Sequence, residues 1–266
     1  MNTRTNHDID FKIYGEEMQY VEVELDPEET AIAEAGSFMM MDDGVQMETV
    51  FGDGSRQQTG GLLGKLMSAG KRVLTGESLF MTAYTNIGQG KKKVSFASPY
   101  PGKIIPLDLM EYNGKVICQK DAFLCAAKGV SVGIALQRKL GTGLFGGEGF
   151  IMQKLEGDGF AFMHAGGHVF SRTLSPGEVI KVDTGCVVAY TQGINFDIQF
   201  IGGIKNTIFG GEGLFFATLT GPGKVWMQTL PVSRLASRIL AYGTFNRKEE
   251  GSLFGGLGNL LDGDGR

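Results

Sequence analysis

The chain repeats one glycine-punctuated sentence. GLFGGEGFIMQKLEGDG at 143–159 and TIFGGEGLFFATLTGPG at 207–223 share every punctuating glycine when Glu148 is set on Glu212. Gly146, Gly147 and Gly149 then meet Gly210, Gly211 and Gly213, while Gly157 and Gly159 meet Gly221 and Gly223. Setting Glu77 against Glu148 brings in a third copy, TGESLFMTAYTNIGQG, with Gly76 on Gly147 and Gly88 on Gly159. Three copies of one pattern point to three tandem folding units, a stronger constraint than any local propensity. A second element recurs with it: DPEETAIAEAGSFMM (26–40), YNGKVICQKDAFLCA (112–126) and SPGEVIKVDTGCVVA (175–189) align without gaps. That alignment puts Pro27, Asn113 and Pro176 in one turn and Gly36, Ala122 and Gly185 in another.

Inside the units apolar residues alternate with period two, the pattern of half-buried antiparallel strands. YVEVEL alternates from Tyr20 to Leu25, VIKVD alternates from Val179, and INFDIQF puts Ile194, Phe196, Ile198 and Phe200 on one face. The 42 glycines among 266 residues are about twice ordinary usage and suit many short strands joined by tight turns. The expected fold class is all-β, with three tandem pseudo-threefold β-sandwich repeats. Repeat one spans 1–98 with an insertion at 51–75, repeat two 99–165 and repeat three 166–231, followed by a helix and a Gly-rich tail at 232–266. The helix, PVSRLASRILAY, carries Val232, Leu235, Ile239 and Leu240 on one side.

The insertion in repeat one has a different period. If residues 62–74 are helical, Leu62, Leu63, Leu66, Met67, Val73 and Leu74 fall in one arc and Lys65, Ser68, Lys71 and Arg72 in the other. Such a helix suits either a membrane interface or the open end of a sandwich. The tail repeats the theme with Leu253, Phe254, Leu257, Leu260 and Leu261, where internal glycines disfavour a helix until a surface is met.

Chemistry-bearing residues are few. Glu77, Glu148 and Glu212 occupy one repeated position, and three carboxylates about an axis can hold a hard cation or transfer protons. The simpler reading is a carboxylate accepting N–H groups in a glycine turn, because no histidine or second acid recurs beside them. His164 and His168 have metal-ligand spacing for a helix, but the intervening AGG and the β context suit turn or surface histidines. His7 lies in a polar terminus expected to be mobile. GTGLFG at 141–146 matches a phosphate-loop pattern without the flanking strand and helix that the fingerprint needs. Cys125 and Cys186 align with Val188 and Phe123 respectively, the pattern of buried core thiols, and an odd set of Cys118, Cys125 and Cys186 suits reduced cysteines. Lys91–Lys93 in GKKKVSF offer a small basic patch beside aromatics, or else a solvated turn. A net charge of −4 supplies no general attraction to nucleic acid. No cofactor or metal is expected, and no span reaches the length of a membrane helix.

FKIYGEEMQYVEVEL, AEAGSFMMMDDGVQMET, TGESLFMTAYTN, GFAFMHAGGHVF and GGEGLFFATLTGPGKVWMQTLP together resemble the altered-inheritance-of-mitochondria protein 24 family over residues 8–240. The resemblance implies a fold like the tryptophan RNA-binding attenuation protein, a double-stranded β-helix. Mitochondrial relatives are associated with inner-membrane organisation, and the family supplies no catalytic residues to carry over. The expected function is a non-enzymatic, self-associating scaffold, cytoplasmic and peripheral to a membrane or a membrane-bound complex. The alternative is a small-ligand or single-stranded RNA binder on the β surface.

Overall fold

The computed structural model describes residues 5–51, 80–138, 149–201, 214–240 and 242. Within them the chain is predominantly β, with nineteen strands in four sheets that pair antiparallel. The first sheet runs β1 (Asp10–Tyr14), β2 (Tyr20–Leu25), β7 (Lys92–Ala97), β4 (Phe38–Met41). The second runs β5 (Val45–Phe51), β6 (Phe80–Asn86), β3 (Thr30–Glu34), β10 (Phe123–Ala127), β13 (Phe160–Gly166), β8 (Gly102–Asp108). The third runs β11 (Ser131–Arg138), β12 (Phe150–Glu156), β9 (Lys115–Gln119), β16 (Val187–Thr191), β19 (Gly223–Gln228), β14 (Val169–Leu174). The fourth runs β15 (Val179–Asp183), β18 (Leu214–Thr220), β17 (Asn195–Ile201).

In strands that alternate, the alternation decides which face is buried. In β2, Val21, Val23 and Leu25 point inward while Tyr20, Glu22 and Glu24 are only partly covered. Three apolar cores follow. Val21, Val23, Leu25, Val94 and Phe96 of the first sheet pack with Ala31, Tyr84, Cys125 and Phe162 of the second. The other face of the second sheet, with Ile32, Leu107, Phe123 and Met163, packs on Val116, Cys118, Leu155 and Trp226 of the third. Phe150, Met152, Val187 and Met227 of the third pack on Ile198, Ala217 and Leu219 of the fourth. The two six-stranded sheets are therefore buried on both faces, which is why β10 and β13 read as nearly continuous apolar runs.

Two sheet joins have one register. β3 meets β10 with Ala31 opposite Ala127, Ile32 opposite Ala126 and Ala33 opposite Cys125. β9 meets β16 with Val116 opposite Thr191, Ile117 opposite Tyr190 and Cys118 opposite Ala189.

Three turns share one backbone feature. Glu28, Asn113 and Gly177 precede β3, β9 and β15 with φ of 71°, 56° and 76°. Asn113 thus shares its left-handed backbone with Glu28 rather than with Pro27. A left-handed φ is a backbone requirement that Asn and Gly meet readily, so conformation is a better guide here than the proline.

The N-terminal segment is also unlike its expectation of a mobile end. Thr5 and Asn6 donate backbone N–H groups to Asp158. His7 donates its N–H to Lys128 O and accepts from Thr30 N at Nδ1. A Cβ at Gly157 would lie 2.6 Å from Asn6 Nδ2, and one at Gly159 2.9 Å from Asn6 Cβ. Those two glycines leave the space in which Asn6 sits. At the other end a helix, α1, covers residues 232–240, with Val232, Ile239 and Leu240 exposed.

Candidate functional site

The sites read from the sequence fall largely elsewhere. Glu77, Glu148 and Glu212 lie outside the described residues, as do Leu62, Leu63, Lys65, Leu66, Met67, Lys71 and Arg72, and Leu253, Phe254, Leu257, Leu260 and Leu261. The GTGLFG segment lies there too. Among the described residues no three His, Cys, Asp or Glu side chains form a group that could hold a metal, and no helix is long and apolar enough to cross a membrane.

His164 and His168 are held apart by the fold. His164 is on β13, 1% exposed, with its ring 4.4 Å from that of Tyr100 at 76°. His168 lies beyond the strand end, where its N–H donates to Thr229 Oγ1 and its ring stacks on Phe170. A strand that buries one side chain and a turn that exposes the other cannot present both rings to one ion. Burial pushes the His164 imidazole down to about 4. Neither ring nitrogen makes a hydrogen bond among the described residues. β8 and Tyr100 approach this ring closely because Gly102 and Gly166 lack side chains: Cβ atoms there would lie 2.8 Å from His164 Nε2 and 2.9 Å from the Tyr100 ring.

Glu34, at the end of β3, is the residue that sequence reasoning missed. Burial, reinforced by the Asp121 carboxylate and opposed by Lys120, raises its carboxyl to about 7. Tyr100 is pushed up to about 12, by burial first and then by Asp121 and Glu34. The thiols of Cys118 and Cys125 are raised by burial, so neither is a thiolate at neutral pH. Cys186 departs from the buried-thiol expectation: it is half-buried, and its Sγ accepts from Arg234 Nη2 at 3.6 Å.

The buried acid and the buried histidine make opposing contributions to stability. Below pH 6.5 an unfolded His164 gains a proton that the folded chain refuses until about pH 4, so this group removes about 3 kcal/mol as pH falls. Glu34 keeps its proton to about pH 7 when folded but only to 4.5 when unfolded. It therefore removes stability as pH rises, by about 2 kcal/mol after discounting its partial exposure. Glu34→Gln is expected to melt with the native protein at pH 4.5 and about 4–8 °C above it at pH 7.5. The difference between the two melting profiles cancels every other carboxylate. Equal melting at both pH values would remove Glu34 from this role.

Two of the three lysines in the basic patch, Lys91 and Lys93, are ion-paired. Lys91 Nζ lies 2.6 Å from Glu24 Oε1 and 3.2 Å from Asp10 Oδ2, and Lys93 Nζ lies 2.6 Å from Glu22 Oε1. Carboxylates on the neighbouring rungs of β1 and β2 thus hold both ammonium groups.

The most unusual surface is β4. Phe38, Met39, Met40 and Met41 are 38%, 48%, 44% and 38% exposed in one unbroken run. No charge or proline lies within this edge strand, the usual devices that blunt one. The legible signal was FMMM itself, four large apolar residues in a chain that otherwise alternates.

Comparison with known proteins agrees with the sequence resemblance. The family model described as mitochondrial biogenesis AIM24 matches residues 11–230. An uncharacterised protein of Streptococcus pyogenes serotype M6 is 30% identical over 231 residues, covering 85% of this chain and 88% of that one. A crystal structure of a Streptococcus pyogenes protein superposes with a TM-score of 0.67 at 24% identity, over 88% of this chain and 99% of that one. That likeness concerns the fold alone. With the match reaching from β1 to the end of β19, the chain belongs to the AIM24 family.

Proposed function

We propose that this protein is a non-enzymatic scaffold made of three copies of one six-strand unit, β2–β7, β8–β13 and β14–β19, that works by continuing sheets from unit to unit. The carrying observation is the repeated join of β3 to β10 and β9 to β16 in one register. Equivalent positions stand 85 residues apart between units one and two and 64 between two and three. The left-handed turn residues Glu28, Asn113 and Gly177 keep these offsets. So do the β-bulges at Met39, Leu124 and Val188. Bulges and left-handed turns are costly to place by chance, so their coincidence supports common descent of the units. A ring-like, double-stranded β-helix arrangement is the form in which such units would stack.

The amphipathic segments at 62–74 and 253–261 fit a peripheral contact with a membrane or a membrane-bound complex. Full-length protein is expected to co-sediment with vesicles containing anionic lipid, and replacing Leu62, Leu63 and Leu66 by Ser is expected to cut the bound fraction several-fold. Unchanged binding would remove the membrane contact. The ligand or RNA alternative is weakened by the ion pairs that hold Lys91 and Lys93, because phosphate recognition needs uncommitted cations.

A further inference from the structure

We propose that the chain associates head to tail with a second copy of itself, β15 of one molecule pairing antiparallel with β4 of the next. The inference rests on the three-unit reading and names the surface through which such a scaffold would extend.

Each internal join uses the second strand of a preceding unit and the third strand of a following one. β3 and β9 are second strands, β10 and β16 third strands. That rule leaves two ends over: β4, the third strand of the first unit, and β15, the second strand of the last. Among the described residues β4 pairs only with β7 and β15 only with β18. The two unused edges are therefore complementary in kind, and a rule that operates twice inside the chain has one more place to operate.

Exposure follows the same logic. Met39 and Met40 are 48% and 44% exposed, whereas Leu124 and Cys125 at the equivalent positions are 2% and 0%, and Val188 and Ala189 are both 0%. Phe38 at 38% compares with Phe123 at 4% and Val187 at 0%. On the other end, Val179 is 53% exposed and its equivalent Thr30 is 0%. Carrying the internal register across by the same offsets places Ile180 opposite Asp42, Lys181 opposite Met41 and Val182 opposite Met40. This assignment is the same whether it is taken from the first join or the second.

The contact is confined to the edge. Ser95 occupies the position filled by Phe162 and Trp226 in the other units, and beyond it Glu22 and Lys93 make that outward face charged. Main-chain pairing with a short methionine strip is the expected chemistry, as in other β-augmentation. Because the two edges differ, the contact is heterologous and leads to a ring or an open filament rather than a two-fold dimer.

The test uses full-length protein in a Cys186→Ser background, with Met40→Cys and Val182→Cys together. Directly opposed residues in an antiparallel ladder have Cα atoms about 4.5–5.5 Å apart, within the span of about 4.4–6.8 Å that a disulfide bridges. The expected result is covalent dimers and higher multiples on a non-reducing gel, none from either single variant, and Met40→Lys raising the dissociation constant at least tenfold by native mass spectrometry. Met18→Lys, at a side chain still more exposed, 54% against 44% for Met40, should leave it unchanged. Cross-linked dimers from Met40→Cys alone would overturn the polarity. A disulfide within one chain would overturn the intermolecular contact, since β15 would then close on its own β4. Oligomers that form without cross-linking would sink this join but leave the scaffold reading intact, whereas a monomer at all concentrations up to about 100 μM would end both.

Discussion

Phe162→Ala is expected to destabilise the protein by about 3–5 kcal/mol. The ring is 0% exposed and belongs to β13, yet it packs in the core between the first and second sheets. Its edge-to-face partner is Phe11 of β1, with centroids 4.8 Å apart at 79°. Truncation removes the buried area, leaves a cavity that two rigid sheets cannot close, and loses an aromatic pair worth about 0.5–1.5 kcal/mol of that total. For a chain of this length the melting temperature should fall by about 6–20 °C. Phe170→Ala, at a ring 46% exposed, should cost about 0.5 kcal/mol or less. Similar melting of the two variants by scanning calorimetry would show that the core between these sheets does not depend on Phe162.

Asn86→Ala should be nearly as damaging, for a polar reason. The side chain is 0% exposed and ends β6. Its Nδ2 donates to Leu25 O at 2.9 Å and Gly90 O at 2.8 Å, and its Oδ1 accepts from Gly88 N at 2.9 Å. Removing it leaves three backbone groups without this partner, each costing about 1–3 kcal/mol where water cannot replace it. A loss of about 3–5 kcal/mol is expected on that basis. Asn86→Asp separates hydrogen bonding from packing. It keeps the acceptor for Gly88 but turns an oxygen toward two carbonyls, so it should be at least as unstable as the alanine variant. Near-native stability of Asn86→Asp, measured by urea unfolding, would contradict this account.

Gly88 connects that prediction to what was legible beforehand. It was visible as one of a set of glycines that recur in the sequence, Gly88, Gly159 and Gly223, and the structure shows the turn it serves folded around Asn86. The strict alternation of YVEVEL likewise anticipated which side of β2 is buried. The positions chosen for chemistry fared differently. The repeated glutamates and the amphipathic leucines lie outside the described residues, and the H-x-x-x-H pair is split by a strand end. Glu34 gave no signal, because one acid at the end of TAIAE is unremarkable until Asp121, distant in sequence, is brought beside it. The anchoring of Thr5, Asn6 and His7 was equally hidden, since their partners Asp158, Lys128 and Thr30 lie on other strands and turns.

By itself, then, the sequence determined the β class and the inward faces of the alternating strands, since both are local consequences of side-chain alternation. Only the tertiary structure decided which strand continues which sheet. Those joins are made by main-chain N–H and C=O groups that every residue carries, so no side-chain pattern encodes the partner of β3, of β9, or of the edges left at β4 and β15.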